Sequence, residues 1–238
     1  MSQRDVIVTR DRDALGDRAA SLLEQLILEA GDEVSLALSG GETPLGAYHH
    51  LASRPVPWGR VQVFFTSETC VPSDDEASNC NLAERAILGR IPLRPRQVHR
   101  IRGEIDPERA AIEAEAVMHD NLPGRVPSLD VVLLGMNPEG AIAYLYPDDP
   151  ALEVTDRLYA AVQRTERDPE SRVTMTLPAI NAAKQVVILA AGAEKAGAVV
   201  RALNGDPDVP AGLVAPIGRL TWILTEAAAS AAGPDLLG

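Results

Sequence analysis

Apolar residues recur along this chain with helical spacing in some segments and as short, mostly apolar runs in others. The segment RDALGDRAASLLEQLILEAG has helical spacing, and its apolar stripe consists of Leu15, Ala19, Leu22, Leu23, Leu26 and Ile27. Short, mostly apolar runs occupy residues 34–40, 61–67 and 130–136. Such runs are typical of buried strands, and the last one suits the centre of a parallel sheet.

Helix start signals support further helices. Ser78 is a capping residue for a helix over residues 78–88, and Asp106 with Pro107 begins a long helix. Strand-like and helical segments continue to alternate through RVTMTLP, QVVILAAG, EKAGAVVRAL and LTWILTEAAASAA. This alternation predicts an α/β fold with three layers, in which a doubly wound, mostly parallel sheet carries helices on both faces. We see no repeat or low-complexity linker, so we expect residues 1–238 to form a single domain.

Composition and charge narrow the class of protein. The chain has 238 residues, 46% of them hydrophobic, which is enough for a substantial core. The net charge of −12 argues against a nucleic-acid or anionic-membrane partner. The chain contains no apolar run long enough to predict a membrane span, the charged N-terminal segment does not resemble a secretory signal, and the two cysteines do not suggest a disulfide framework. We therefore expect a cytoplasmic location.

The motif LSGGETP ends a predicted strand with Gly40 and Gly41, followed by Thr43 and a proline at a helix start. Glycines let a ligand approach the backbone closely, and a helix N-terminus favours an anion. A plain tight turn is the alternative. The motif is neither a P-loop nor a dinucleotide fingerprint, and we expect no cofactor.

Two basic residues could complete an anion site at this edge of the sheet. Lys195 is one of only two lysines and lies in the first turn of a helix that follows an apolar strand, whereas Arg172 begins the segment RVTMTLP. Each could be an ordinary surface charge. Together they could hold a phosphate, the lysine as a point charge and the arginine as a fork.

Two further loops follow predicted strands. The first, FFTSETCVPSDDEASN, brings Ser67, Glu68 and Thr69 to the same edge, and its acidic segment does not match the spacing of a calcium-binding EF-hand loop, so we expect no metal. The second, LLGMNPEGAIAYLYP, offers no histidine, cysteine, serine or lysine. Its polar and aromatic residues are Asn137, Glu139, Tyr144 and Tyr146.

In this order, the motifs resemble the 6-phosphogluconolactonase family, which is related to the glucosamine-6-phosphate isomerases. The resemblance runs nearly end to end, and its last parts are SRVTMTLPAINAAKQVVILAAGAEKA and PIGRLTWILTEAA. It implies a Rossmann-like α/β fold and the hydrolysis of 6-phosphogluconolactone to 6-phosphogluconate in the pentose phosphate pathway. It also implies a small sugar phosphate as the binding partner and a chain that is a monomer or a homodimer. The phosphate-binding residues that it implies are Gly40, Gly41, Thr43, Arg172 and Lys195.

The departures from the family pattern are concentrated in the two loops. The family typically has Asp-Glu-Arg where this chain has Ser67, Glu68 and Thr69. The position of the acid–base histidine is Ala141, and an aspartate has become Glu139. The flanking elements CVP, SN and LGM remain, so the changes affect the site more than the scaffold.

These changes remove the groups that lactone hydrolysis needs. Water must be activated and an oxyanion stabilised, and alanine can do neither. Losing a positioned general base typically costs about 10²–10⁴ in rate. Glu139 and Glu68 are the candidate replacement bases, because burial can raise the pKa of a carboxyl group into the useful range.

Tyr144 and Tyr146 have two interpretations. They could fill the volume that the histidine leaves, or they could contact a sugar ring together with Asn137. Three functions follow: a hydrolase whose activity is impaired or redirected, a non-catalytic sugar-phosphate binder (a pseudoenzyme), or a structural protein with a vestigial cleft. Retention of Arg172, Lys195 and the glycine pair counts against the third.

Overall fold

A computed structural model describes residues 3–163 and 170–237, and it contains two sheets. The strands are β1 (Gln3–Thr9), β2 (Val34–Leu38), β3 (Val61–Phe65), β4 (Ser67–Thr69), β5 (Val131–Gly135), β6 (Tyr159–Val162), β7 (Arg172–Met175), β8 (Gln185–Ala190) and β9 (Arg219–Thr225). The larger sheet has the order β1-β9-β8-β5-β2-β3, and every pairing in it is parallel. The smaller sheet has the antiparallel order β4-β7-β6.

The helices are α1 (Arg12–Glu29), α2 (Leu45–Ala52), α3 (Asn79–Ala86), α4 (Pro107–Asn121), α5 (Leu177–Asn181), α6 (Ala196–Leu203), α7 (Glu226–Ala229) and α8 (Pro234–Leu237). Helix α1 packs against α2 and the larger sheet, whereas α4 packs against the smaller sheet. None of the helices in the described ranges is long and apolar enough to cross a membrane.

The α/β fold with a mostly parallel sheet is confirmed. The strands β2, β5 and β8 lie side by side at its centre, and their side chains are almost entirely buried. This burial explains why the three segments are mostly apolar and do not alternate with polar residues. In α1, the stripe is buried as predicted at Leu15, Ala19, Leu23 and Ile27.

The predicted helix starts are also confirmed. The Ser78 hydroxyl accepts a hydrogen bond from the backbone N–H of Asn81 at the start of α3. The Asp106 carboxylate accepts one from the N–H of Arg109 at the start of α4. Each side chain thus satisfies a backbone donor that the helix itself leaves unpaired.

The prediction of one strand over residues 61–67 was wrong. The chain passes from the larger sheet to the smaller one at Thr66, which belongs to neither strand. The Thr66 N–H donates to the carbonyl of Leu38 in β2, and its carbonyl accepts from the N–H of Met175 in β7. The chain bends at Thr66, where its pairing changes from β2 of the larger sheet to β7 of the smaller one.

The order of the larger sheet positions the site. Since β8, β5 and β2 are neighbours and parallel, the loops after them meet at one edge. Ligands usually bind there in open α/β sheets. Residues 67–69 reach the same edge through the short connection at Thr66.

Candidate active site

A cavity of about 320 Å³ opens at this edge of the larger sheet. The loops after β2, β5 and β8 line it, and Ser67 and Asn79 complete the wall on the side of the smaller sheet. The volume lies at the lower end of the range for small-molecule sites. The chemistry of the cavity therefore depends on what these loops present.

The loop after β2 presents backbone to the cavity. Gly41 has φ +85°, a conformation that favours glycine, and the space where a Cβ would lie is open. A Cβ on Gly40 would lie 1.8 Å from the Oδ1 atom of Asn79, so this position has no room for a side chain. The buried Tyr48 hydroxyl fixes the start of the loop, because it accepts from the N–H of Ser39 and donates to the Ser39 carbonyl.

Lys195 lies between the end of β8 and the start of α6 and reaches this loop. The residue is 7% exposed, and its Nζ atom donates to the Thr43 hydroxyl at 3.0 Å. Among the residues that the structure describes, no carboxylate forms an ion pair with it. Desolvation, followed by the charge of Arg12, lowers the pKa of Lys195 below its ordinary value, whereas Glu194 and Glu42 oppose the shift. Both Lys195 and Thr43 line the cavity, so an anion there would meet a buried cation.

Arg12 also lines the cavity, and sequence reasoning missed it. It begins α1, directly after the edge strand β1, and its Nη2 atom lies 4.0 Å from Glu194. The available signal was the strand-to-helix transition in VIVTRDRDALG, which has the same order of elements as the segment around Lys195. Two cations therefore lie on the side of the cavity that carries the glycine pair.

Asn137 organises the loop after β5. Its side-chain oxygen accepts hydrogen bonds from the backbone N–H groups of Glu139 at 2.9 Å and Ala141 at 2.8 Å, and its own N–H donates to the Ala141 carbonyl. These hydrogen bonds fold the loop around the Asn137 side chain. Ala141 is buried and lines the cavity, so the predicted acid–base position faces the cavity and presents only a methyl group there.

Tyr144 and Tyr146 line the cavity beyond Ala141. Ala143 has φ +48° and Tyr144 has φ +63°, two consecutive left-handed residues without a glycine, which is an uncommon arrangement. The Thr174 hydroxyl of β7 donates to the Ala143 carbonyl and holds this turn against the smaller sheet. The turn carries the Tyr144 ring over Arg172, whose guanidinium carbon lies 4.7 Å from the ring centroid.

The structure separates Arg172 from the other residues predicted to bind phosphate. Gly40, Gly41, Thr43 and Lys195 line the cavity together. Arg172 is 9% exposed and is absent from the described residues that form the wall.

Glu68 lies in β4, and its carboxylate reaches the hydrogen-bond donors at the start of α3. Its carboxylate accepts from the backbone N–H groups of Thr69, Asn79 and Cys80 and from the Ser78 hydroxyl. Burial raises the pKa of this carboxyl group, and the hydrogen bonds oppose that effect. Glu68 does not contribute to the described wall of the cavity. Its neighbour Ser67 does, whereas Thr69 is buried in β4.

Glu139, the other candidate base, is exposed and also lies outside the described cavity wall. The carboxylates that do line the cavity are Glu42 and Glu194, on the side with the two cations. None of the four histidines lines it, all four being in the described ranges. No group of three or more His, Cys, Asp or Glu side chains within residues 3–163 and 170–237 is arranged to hold a metal ion.

Comparison with known proteins identifies the family. Residues 10–222 match the family model described as glucosamine-6-phosphate isomerases/6-phosphogluconolactonase. The 6-phosphogluconolactonase of Streptomyces coelicolor is 33% identical over 94% of this chain and 93% of its own length. The human 6-phosphogluconolactonase is 33% identical over 90% of this chain and 88% of its own. The chain belongs to the glucosamine-6-phosphate isomerase/6-phosphogluconolactonase family.

A solved structure supports the same assignment. The 6-phosphogluconolactonase of Trypanosoma brucei superposes with a TM-score of 0.87 at 25% identity, over 98% of this chain and all of the other. The fold and the family predicted from the sequence are therefore confirmed.

Proposed function

We propose that this protein binds a phosphorylated sugar in the cavity and that its hydrolysis of 6-phosphogluconolactone is impaired. The observation that carries the proposal is the contrast between Lys195, a buried cation in the wall, and Ala141, a methyl group at the acid–base position. By family, the ligand belongs to the sugar phosphates of the pentose phosphate pathway.

Binding of the phosphate is supported by the side of the cavity that follows β2 and β8. Gly41 presents open backbone, Lys195 supplies a charge with no carboxylate partner in the described residues, and Arg12 adds a second charge. An ammonium or guanidinium forms charge-assisted hydrogen bonds to phosphate oxygens, which are about twice as strong as neutral ones. A phosphate would thus offset the cost of burying Lys195.

Impaired hydrolysis is supported by the side of the cavity that follows β5. Ala141 cannot activate water, and neither candidate replacement base lies in the described wall. The Glu68 carboxylate is hydrogen-bonded to the first backbone N–H groups of α3, and Glu139 is exposed. The carboxylates that do line the cavity lie beside Arg12 and Lys195, where they face the proposed phosphate site. The second candidate function, redirected chemistry on another sugar phosphate, would have to use one of these two groups or a tyrosine hydroxyl.

The first experiment measures hydrolysis of 6-phosphogluconolactone by the purified protein at neutral pH against the spontaneous background. We expect a rate constant below that of a family member with the histidine by about 10²–10⁴. In parallel, calorimetry measures binding of glucose 6-phosphate, with glucose as the control. Efficient turnover contradicts the impairment, and equal binding of glucose and glucose 6-phosphate contradicts the phosphate site.

The remaining expectations rest on the charge and the family. With a net charge of −12, the protein should bind neither nucleic acid nor anionic membranes, and we propose the cytoplasm as its location.

A further inference from the structure

The ring of Tyr144, a residue of the cavity wall, lies against the guanidinium of Arg172. The guanidinium carbon lies 4.7 Å from the ring centroid, within the range of a cation–π contact. Tyr144 contributes to the wall, whereas Arg172 is 9% exposed and does not contribute to it within the described part of the chain. At this point the wall consists of an aromatic side chain, and a guanidinium lies against its ring.

The backbone fixes this arrangement. Tyr144 and the preceding Ala143 both have positive φ, and the Ala143 carbonyl accepts a hydrogen bond from the Thr174 hydroxyl. On either side of this pair, Ile142 and Leu145 form two backbone hydrogen bonds with each other. A side chain on such a closed turn has a defined direction.

We propose that Tyr144 determines the specificity of the cavity: by covering Arg172, it selects sugar phosphates whose other end is uncharged over phosphates of sugar acids. This inference rests on the proposed phosphate site and specifies the class of ligand that the site takes.

The two sides of the cavity explain the selection. Both cations of the described wall, Arg12 and Lys195, lie on the side of the glycine pair, where the phosphate is proposed to bind. The opposite side presents Ala141, Ala143 and Tyr144. A carboxylate placed there would lose water without gaining a cation, which is costly, whereas a neutral hydroxyl group could bond to the hydroxyl of Ser67.

A matched pair of ligands isolates the second charge. Glucitol 6-phosphate and 6-phosphogluconate have the same open six-carbon chain and the same phosphate, and they differ in CH₂OH or carboxylate at the first carbon. By calorimetry we expect the protein to bind glucitol 6-phosphate at least about 10-fold more tightly, the minimum effect of one missing charge-assisted hydrogen bond.

Variants at Tyr144 test the cause. Tyr144→Ser should uncover Arg172 and raise the affinity for 6-phosphogluconate by about 10-fold relative to glucitol 6-phosphate. Tyr144→Phe keeps the ring and should keep the preference of the unaltered protein. Tyr144→Gly relieves the positive φ and should behave as Tyr144→Ser does, which guards against a variant that fails to fold. Adding Arg172→Gln to Tyr144→Ser should abolish the gain.

The outcomes separate the two proposals. Equal binding of the two ligands, a preference for 6-phosphogluconate, or a ratio unchanged by Tyr144→Ser overturns the selectivity. If Lys195→Met nevertheless weakens both ligands, the phosphate site stands and only the role of Tyr144 is wrong. If neither ligand binds, the proposed function fails and the selectivity fails with it.

Discussion

The two sides of the cavity differ in the chemistry that they present. The side formed after β2 and β8 has a glycine with positive φ, the buried ammonium of Lys195 and the guanidinium of Arg12. The side formed after β5 has Ala141, Ala143 and two tyrosines. Burying a cation without a carboxylate partner opposes folding, whereas burying methyl groups and rings favours it. The first side is thus built at a cost to stability that a bound anion would offset, and the second incurs no such cost.

The largest effect is expected when the missing catalytic groups are restored in the cavity. Ala141→His combined with Thr69→Arg should increase hydrolysis of 6-phosphogluconolactone by about 10²–10⁴, because a base would then face the cavity. Thr69 lies on the same face of β4 as the wall residue Ser67, since side chains alternate along a strand. Initial rates above the spontaneous background measure the effect.

Ala141→Gln with Thr69→Arg is the matched control, because glutamine has a comparable size and cannot take up a proton near neutral pH. If both double variants are as slow as the unaltered protein, the side formed after β5 differs from a hydrolytic site by more than these two residues.

The second test removes the charge from the other side. Lys195→Met should weaken binding of glucose 6-phosphate by about 10- to 100-fold, the effect of one hydrogen bond to a charged group. Lys184→Met is the control, because Lys184 is the only other lysine and is exposed, paired with Asp130 at 2.7 Å. Calorimetry on both variants decides the point, and an equal loss in the two would assign the effect to overall charge.

Some features of the fold and of the cavity can be predicted from the sequence, and others cannot. The strands β2, β5 and β8 were predictable because their burial makes them mostly apolar, without alternation. The glycine pair and Lys195 were predictable because each follows such a strand. Local sequence carries the whole signal in these cases.

The smaller sheet was not predictable in this way. It pairs Ser67 with Thr174, more than 100 residues apart, and its strands have only three or four residues. The contact between Tyr144 and Arg172 depends on that pairing together with an unusual turn. Neither leaves a periodic pattern, so the position of Arg172 behind a ring could be found only from the structure.

A third test asks whether Glu68 belongs to the scaffold. Glu68→Gln should lower the free energy of unfolding by about 2 kcal/mol, because an amide cannot replace a carboxylate that accepts from three backbone N–H groups. Thermal unfolding should show a decrease in Tm of roughly 4–8 °C for a chain of this size. Glu76→Gln, an exposed carboxylate in the same loop, should leave the Tm unchanged. An unchanged Tm for Glu68→Gln, with a loss of residual hydrolysis, would instead make Glu68 a catalytic group.

The smallest expected effect is a dependence of binding on pH. Desolvation lowers the pKa of Lys195 below the ordinary lysine pKa of about 10.4. Its ammonium therefore loses a proton at a lower pH than that of an exposed lysine. A bound phosphate favours the charged form, so the pKa of Lys195 must rise in the complex. It follows that affinity for glucose 6-phosphate falls, and that binding takes up a proton, as the pH rises through the lowered pKa of the free protein. In the same window the free protein gains stability with rising pH, because the unfolded chain keeps the proton longer than the folded one.

Calorimetry between pH 7 and 10, in two buffers of different ionisation enthalpy, should therefore show a several-fold loss of affinity together with proton uptake. In Lys195→Arg the charge persists throughout this range, so that variant should bind with no such loss. An equal pH dependence in the two proteins would place the titrating group elsewhere in the complex. A flat profile in both would mean that Lys195 keeps its charge over this pH range in the free protein. Burial would then lower the pKa of Lys195 too little to affect binding below pH 10.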